Sequence, residues 1–243
     1  MKKIFFLLAF SVGQLAYSQT FFDVGIKASW DADYLLNKNL LDENNFRYLF
    51  SWGYGFGGKL GINFGESHGL CFEGGMSKIT QDYKYGEVSE VKGEFPYRRS
   101  LEFQTIDFLM LYRRFGKGQY IEIGPQYSLY KKPSFTDSEG VSFGNDISAL
   151  QNKSNVAAVF GFGGNILKGS EVLFVTFGFR FKYHFMDLIS DQGQAANYFT
   201  GQRNYPDYKK TNVITGSAIL GIEYAFGYFA YAQCRGRRVF VAF

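Results

Sequence analysis

The 243-residue chain is long enough for one domain of β-barrel size, and its formal net charge of +4 gives no indication of nucleic-acid binding. Apolar residues make up 46% of the sequence and aromatic residues 20%, which excludes an intrinsically disordered chain. No apolar run after Gln19 reaches the ~18–20 residues that a membrane-spanning helix needs.

The first 19 residues have the three parts of a secretory signal peptide. Lys2 and Lys3 form the charged start, residues 4–10 form the apolar core, and Ala16-Tyr17-Ser18 is a cleavage site. The residue directly after that site is Gln19 and not a cysteine, which disfavours a lipid-anchored lipoprotein. The sequence therefore predicts an exported mature chain, either a soluble secreted protein or an outer-membrane barrel.

The mature chain alternates large apolar residues with small or charged ones at the two-residue period of a β-strand. Eight strands are predicted, over residues 22–30, 51–64, 70–85, 105–114, 120–130, 156–166, 173–185 and 213–226. The seventh is the clearest, because every odd residue from Leu173 to Phe185 is large and apolar. In the third, the alternation changes near Ile79, which predicts a β-bulge there.

The connections between these strands alternate between long and short. The long ones cover residues 32–48, 86–100, 131–155 and 187–212. Long extracellular loops and short periplasmic turns are typical of outer-membrane barrels. A soluble eight-stranded barrel keeps its apolar residues inside, whereas the second face here is too charged and glycine-rich for that. The predicted fold is all-β, a closed antiparallel transmembrane barrel of about eight strands spanning residues 20–226.

Three stretches resemble the PorT-like outer-membrane β-barrel family of Gram-negative bacteria. Residues 105–114 resemble the family's fourth strand, residues 120–127 its Gly-Pro strand, and Arg180 with residues 187–189 and 220–226 its last two strands. The resemblance implies an eight-stranded barrel in the outer membrane. It also implies a link to protein secretion, the role of the family's namesake.

The inward face of the predicted barrel balances acidic against basic residues. The predicted lumenal charge network consists of Asp23, Lys27, Lys59, Glu73, Asp107, Arg113, Glu122, Arg180, Lys182, His184 and Glu223. An eight-stranded barrel is just wide enough to be filled by its own side chains, and an unpaired buried charge is costly. We therefore expect a salt-bridged plug, with a proton or ion path as the alternative.

No cofactor or metal site is predicted. Residues 53–58 match G-x-G-x-x-G, but they lie within a strand, so their glycines are expected to make room for large side chains opposite. An enzymatic alternative rests on His184, which would pair with a rim serine near Asp187, as in outer-membrane lipid A hydrolases or acyltransferases. A hydrogen-bonding role for His184 in the lumen is favoured, so no enzymatic activity is expected.

The sequence leaves two features undecided, the pairing of the cysteines and the structure of the C-terminal extension. Cys71 lies on an inward strand face and Cys234 in the tail, so whether they form a disulfide is undecided. Residues 227–243 form a C-terminal extension of uncertain structure, in which Val239, Val241 and Phe243 resemble the aromatic-terminated insertion signal of barrels.

These features predict an integral outer-membrane protein that acts by binding or assembly through its extracellular loops. The loops mix aromatic and charged residues, a composition favoured in binding hot spots. The expected partners are outer-membrane lipid, the barrel-insertion machinery and envelope or secretion-system proteins, with no nucleic acid. A small-solute pore and a lipid-modifying enzyme are the alternatives.

Overall fold

The structure is a computed structural model that describes residues 20–65, 67–86, 95–143, 147–167, 172–198 and 208–226. The predicted signal peptide, residues 1–19, and the C-terminal extension, residues 227–243, lie outside the described residues.

The described residues form nine β-strands and three short helical segments. The strands are β1 (Thr20–Asn37), β2 (Phe46–Tyr48), β3 (Ser51–Phe64), β4 (His68–Tyr85), β5 (Tyr97–Gly116), β6 (Gln119–Asp137), β7 (Ser154–Leu167), β8 (Leu173–His184) and β9 (Thr211–Phe226). The helical segments are α1 (Lys38–Leu41), a 3₁₀ turn (Ser148–Leu150) and α2 (Asp191–Ala195). Within the described ranges, no helix is long and apolar enough to cross a membrane.

Eight of the strands close into an antiparallel ring. Each strand from β3 to β8 pairs with the next strand along the chain, and β1 pairs with both β3 and β9. The short strand β2 pairs with the extracellular end of β4. The predicted closed antiparallel barrel of about eight strands is therefore confirmed.

The middle of the barrel has the polarity of a membrane protein. Its outer face is apolar and exposed, for example at Phe56 (62%), Ile123 (57%) and Phe181 (53%). The intervening residues point inward and are mostly small, polar or charged. Lipid solvates the outer face, so the sequence alternates apolar-out and polar-in.

A tight turn joins β5 and β6 at one end of the barrel. Lys117 and Gly118 connect β5 to β6, and both have positive φ, 51° and 79°. Two residues with positive φ form a type I′ turn, whose twist matches that of paired strands. The opposite end carries the long connections, as predicted.

The predicted bulge at Ile79 is wrong. Pairing between β4 and β5 runs without a break from His68 to Tyr85, so the strand keeps its phase. The register slips instead between β5 and β6 at Glu102/Gln104. The pattern changes at Ile79 because the surroundings change, since Ile79 and Tyr83 still point inward but now belong to an apolar interior.

The extracellular end of the barrel therefore has the polarity of a soluble protein. The strands run further than predicted on this side, with β1 continuing past Trp30 to Asn37 and β6 continuing to Asp137. Their inward side chains and the connecting segments build one hydrophobic core, here called the extracellular core. Its buried members are Leu35, Leu40, Phe46, Ile79, Tyr83, Tyr85, Leu101, Phe103, Tyr130, Ile147, Leu188, Ile189, Tyr198 and Val213.

Truncating an inward residue of this core should destabilise the barrel. Phe103 is 1% exposed and packs edge-on against Tyr130 at a ring-centroid distance of 5.1 Å. We expect Phe103→Ala to lower the free energy of unfolding by about 3–5 kcal/mol, since it leaves a cavity. Urea unfolding of the reconstituted barrel measures the change. The control is Thr80→Ala, an outward position on the adjacent strand, and an equal loss there would contradict the inversion of polarity.

Candidate functional site

Eight charged side chains form a continuous ion-paired cluster across the lumen, here called the lumenal cluster. Ordered by contact, its members are Asp23, Lys59, Glu223, Arg113, Glu122, Arg180, Glu73 and Lys27. They come from all the ring strands except β7, because inward positions at one height of the barrel meet at its centre. Four acids face four bases, so the cluster as a whole is neutral.

Two arginines hold the centre of the cluster. Arg180 lies 2.8 Å from Glu73 and 2.5 Å from Glu122, measured between guanidinium nitrogen and carboxylate oxygen. Arg113 lies 2.9 Å from Glu122 and 3.4 Å from Glu223. Such multiple charge-assisted bonds favour arginine, whose planar guanidinium has five donors.

Two lysines extend the cluster at its edges. Lys59 lies 2.7 Å from Asp23 and also contacts Glu223, while Lys27 contacts Glu73. The side chain of every cluster member is at least nine-tenths buried. Each buried charge thus has an opposite charge within reach, as a low-dielectric interior requires.

Glycines on the inner face make room for these side chains. A Cβ at Gly161 would lie 2.8 Å from a carboxylate oxygen of Glu122. A Cβ at Gly61 would lie 2.2 Å from a carboxylate oxygen of Asp23. Residues 53–58 likewise lie within strand β3, so the structure places the G-x-G-x-x-G match in the barrel wall and not at a strand–helix turn.

Three residues of the predicted network lie outside the lumenal cluster. Asp107 accepts hydrogen bonds from the hydroxyls of Ser77 (2.8 Å), Thr105 (2.9 Å) and Ser128 (2.7 Å). His184 lies with its Nδ1 3.1 Å from the Tyr130 hydroxyl. Lys182 is 9% exposed and has no carboxylate within 4.0 Å among the described residues.

The arrangement proposed for an enzyme is not assembled in the described part of the chain. His184 contacts Tyr130 and not a serine. The Asp187 carboxylate accepts hydrogen bonds from the backbone N–H groups of Ile189 and Thr211, both at 3.0 Å, and from the Tyr208 hydroxyl at 2.8 Å. Asp187 thus fixes the start and end of the β8–β9 connection.

Sequence reasoning missed two buried acids, Asp31 and Asp33. The predicted first strand ends at Trp30 and leaves both residues outside the barrel wall. In the structure they lie on β1, are only 1% and 4% exposed, and point into the lumen. Asp33 accepts a hydrogen bond from the Thr215 hydroxyl at 2.9 Å. The alternation of β1 beyond Trp30 was the signal that would have found them.

A buried arginine in the extracellular core was also missed. Arg99 is 2% exposed, bonds Asp137 at 2.6 Å through Nε, and lies 4.3 Å above the Tyr85 ring. The Tyr85 hydroxyl donates to Asp137 at 2.7 Å. Burial opposes ionisation of Asp137, but these two hydrogen bonds outweigh it and hold the pKa of this carboxyl below its usual range.

Several loop aromatics predicted to form a binding surface are turned inward instead. Phe46 and Tyr198 are buried in the extracellular core, and Tyr97, Phe135 and Phe143 pack against it. Phe199 and Tyr205 lie outside the described residues. The aromatic content of the loops therefore serves packing at these five positions.

One small cavity lies in the lumen on the side of the lumenal cluster that faces Asp107. Its volume is about 60 Å³, and its lining includes Lys27, Ser29, Asp107, Arg180 and Lys182. The described residues contain no group of three or more His, Cys, Asp or Glu side chains arranged to hold a metal ion. Cys71 is buried as a free thiol that donates to Glu73 at 3.3 Å, and Cys234 lies outside the described residues.

Several solved outer-membrane β-barrels resemble this architecture. Neisserial surface protein A matches at 12% identity, with 84% of this chain and 96% of that chain covered and a TM-score of 0.41. OprG of Pseudomonas aeruginosa matches at 14% identity, with coverages of 86% and 96% and a TM-score of 0.42. Escherichia coli outer membrane protein W matches at 13% identity, with coverages of 86% and 100% and a TM-score of 0.37. These values carry no conclusion about the role of this chain.

No protein-family model matches the sequence, and no curated protein is similar to it. The resemblance to PorT-like barrels thus stays a prediction. The architecture itself is an eight-stranded antiparallel ring with an apolar outer belt and a polar interior, which is that of an outer-membrane β-barrel.

Breaking the lumenal cluster should cost stability. Arg180→Ala leaves Glu73 and Glu122 without their main partner, so we expect a loss of about 3–5 kcal/mol in the free energy of unfolding. The control is Arg98→Ala, which removes the exposed ion pair with Asp82 and should cost about 0–1 kcal/mol. Equal effects of the two variants in urea unfolding would mean that water solvates Arg180.

Acid should loosen the extracellular core through Asp137. Because its pKa is lower folded than unfolded, the carboxylate stabilises the fold above its unfolded pKa, and this contribution is lost as pH falls through the folded value. We expect limited proteolysis to cut the β5–β6 hairpin faster below about pH 4. Asp137→Asn should show the faster cleavage already at pH 7 and lose most of this acid response. An unchanged acid response in Asp137→Asn would remove Asp137 as its source.

Proposed function

We propose that this protein is a non-conducting outer-membrane barrel that acts in binding or assembly through its extracellular end. The observation that carries the proposal is the extracellular core. Strands extend beyond the apolar belt and enclose an apolar interior packed with side chains from the loops. A second core outside the membrane holds the loops at this end in fixed positions. Binding residues occur disproportionately on loops that a rigid scaffold positions in this way.

The lumen supports the non-conducting part of this proposal. The lumenal cluster crosses the barrel with its guanidinium and carboxylate groups in contact, and the cavity beside it holds about 60 Å³. Above the cluster, the extracellular core fills the barrel with apolar side chains. A hydrated solute passing through would have to separate the ion pairs and cross an apolar layer, and both steps are costly.

The inward packing of the loop aromatics narrows the surface available to a partner. Among the described residues at this end, Leu41, the last residue of α1, is 46% exposed, while Arg47 and Arg98 are exposed on the outer strand faces. The proposed contact surface is therefore the charged rim around Leu41. The resemblance to PorT-like barrels adds the proposal that the partner is an envelope or secretion-system protein. We propose no enzymatic activity, since His184 is engaged by Tyr130.

A photo-crosslinking amino acid in living cells tests this proposal. Placed at Leu41 or Arg98, it should give a discrete protein adduct, whereas at Lys117, in the opposite turn, or at Phe160, facing lipid, it should not give that adduct. Adducts that are the same at all four positions, or adducts only at Lys117, would overturn the proposed location of the partner surface.

Conductance tests the closed lumen independently. In planar bilayers the wild-type barrel should produce no steady single-channel current, because a passing ion would have to separate the ion pairs of the lumenal cluster. Glu122→Ala and Arg180→Ala remove facing members of one ion pair and are the variants in which current would first appear. Steady currents from the wild-type barrel would contradict the closed lumen while leaving the crosslinking result unaffected.

A further inference from the structure

The buried charges of the lumen do not balance once the full length of β1 is known. The inward set contains seven carboxylates, namely Asp23, Asp31, Asp33, Glu73, Asp107, Glu122 and Glu223. It contains five basic side chains, namely Lys27, Lys59, Arg113, Arg180 and Lys182. The lumenal cluster is neutral, so the excess of two negative charges belongs to the tier above it, where Asp31, Asp33 and Asp107 face Lys182.

Within this tier, the aspartates differ in how their charge is compensated. Asp107 accepts hydrogen bonds from three hydroxyls. Asp33 accepts from the hydroxyl of Thr215, the residue directly opposite Lys182 in the β8–β9 pairing, and from the backbone N–H of Thr80 at 3.4 Å. Asp31 accepts one hydrogen bond, from Ser29 to Oδ2 at 3.1 Å. Its Oδ1 is buried and has no hydrogen-bond partner among the described residues.

A second buried oxygen that lacks a hydrogen-bond partner among the described residues lies on the strand opposite Asp31. Ser217 stands directly opposite Asp31 in the β1–β9 pairing and is 3% exposed. Its Oγ is also buried without a hydrogen-bond partner in the described part of the chain. Side chains directly opposite each other have their Cβ atoms about 4.5–5.5 Å apart. The two oxygens thus share one face of the sheet but do not reach each other within hydrogen-bond distance.

A glycine on the neighbouring strand lets the two aspartates of β1 pack close together. Gly53 lies opposite Asp31 in the β1–β3 pairing, and a Cβ there would be 2.5 Å from Oδ2 of Asp33 and 3.4 Å from Cβ of Asp31. Both aspartate side chains therefore pack against the backbone of Gly53. A side chain at position 53 would clash with Asp33 and with the backbone carbonyl oxygen of Lys78, which would lie 2.2 Å from that Cβ, so glycine is what lets both aspartates pack here.

We propose that Asp31, Asp33 and Ser217 bind one divalent cation of the hard, oxygen-preferring class, with Ca²⁺ as the best fit. One such ion cancels the excess of two negative charges. Ca²⁺ binds carboxylate, hydroxyl and water oxygens at about 2.3–2.6 Å in flexible geometry, so it bridges oxygens that lie too far apart for a hydrogen bond. Mg²⁺ requires a near-ideal octahedron at about 2.0–2.1 Å, which two aspartates on one strand supply less readily.

The described residues contain no group of three or more His, Cys, Asp or Glu side chains arranged to hold a metal ion, and the proposed site is not of that kind. It uses two carboxylates and a hydroxyl, and water completes the shell. It is independent of the proposed partner surface, since Asp31 and Ser217 are buried and do not reach the rim.

The test is thermal unfolding and ion binding of the full mature barrel, refolded with EDTA and then titrated with CaCl₂, MgCl₂ or NaCl at equal ionic strength. Refolding directly in CaCl₂ covers the case in which the ion enters only during folding. We expect one Ca²⁺ per barrel by equilibrium binding and a rise in Tm of about 5–10 °C at a hundredfold excess over Kd. Mg²⁺ should act more weakly and Na⁺ not at all.

Three variants make the result specific. Asp31→Asn should abolish the Ca²⁺ response and, in EDTA, melt above the wild type, because it removes an uncompensated buried charge. Ser217→Ala should weaken Ca²⁺ binding without changing the charge, which covers the case that Asp31→Asn does not fold. Asp82→Asn, the same substitution on the outer rim, should respond like the wild type.

Each other outcome would overturn the proposal. A wild-type barrel that binds no Ca²⁺ and melts at the same temperature in EDTA and CaCl₂ has no such site. Equal stabilisation by the three salts would mean ionic screening only. A full Ca²⁺ response in Asp31→Asn or Ser217→Ala would place the ion elsewhere. Apo stability that rises as pH falls, with no Ca²⁺ response, would mean that protons neutralise the excess charge.

Discussion

The barrel depends on one constraint, that each face of each strand must suit the medium it meets. In the middle of the barrel, lipid surrounds the wall and the polar face must satisfy its charges within a narrow lumen, which the lumenal cluster achieves. At the extracellular end, water surrounds the same wall, so the same inward positions become apolar. Strand β4 passes through both regions without changing phase, carrying Glu73 inward in the first and Ile79 inward in the second.

Much of the fold could be predicted because period-two alternation directly reports strand faces. The ring, the apolar belt and the long and short connections follow from that pattern. The ends of the strands could not be predicted, because the pattern inverts where the barrel leaves lipid. At Ile79 this inversion resembles a lost phase and suggested a bulge. In β1 it suggested a loop, although the strand continues to Asn37.

The error in β1 also determined which charges were counted. Ending the strand at Trp30 left Asp31 and Asp33 outside the lumen and gave a balanced set of inward charges. With both residues buried, the balance holds for the lumenal cluster alone. Which acid contacts which base was likewise beyond prediction, because it depends on the stagger between strands distant in the chain, such as β4 and β8, whose Glu73 and Arg180 meet at 2.8 Å.

The two tiers of the lumen give buried charge two different uses. The neutral lumenal cluster pairs each of its charges with an opposite charge from another strand and so holds the strands together. In the aspartate tier above it, Asp31 Oδ1 and Ser217 Oγ are buried without a hydrogen-bond partner among the described residues. Burying a charge without a partner costs several kcal/mol. Since an asparagine of similar shape would avoid that cost at position 31, an aspartate there is best explained by a cation that compensates it.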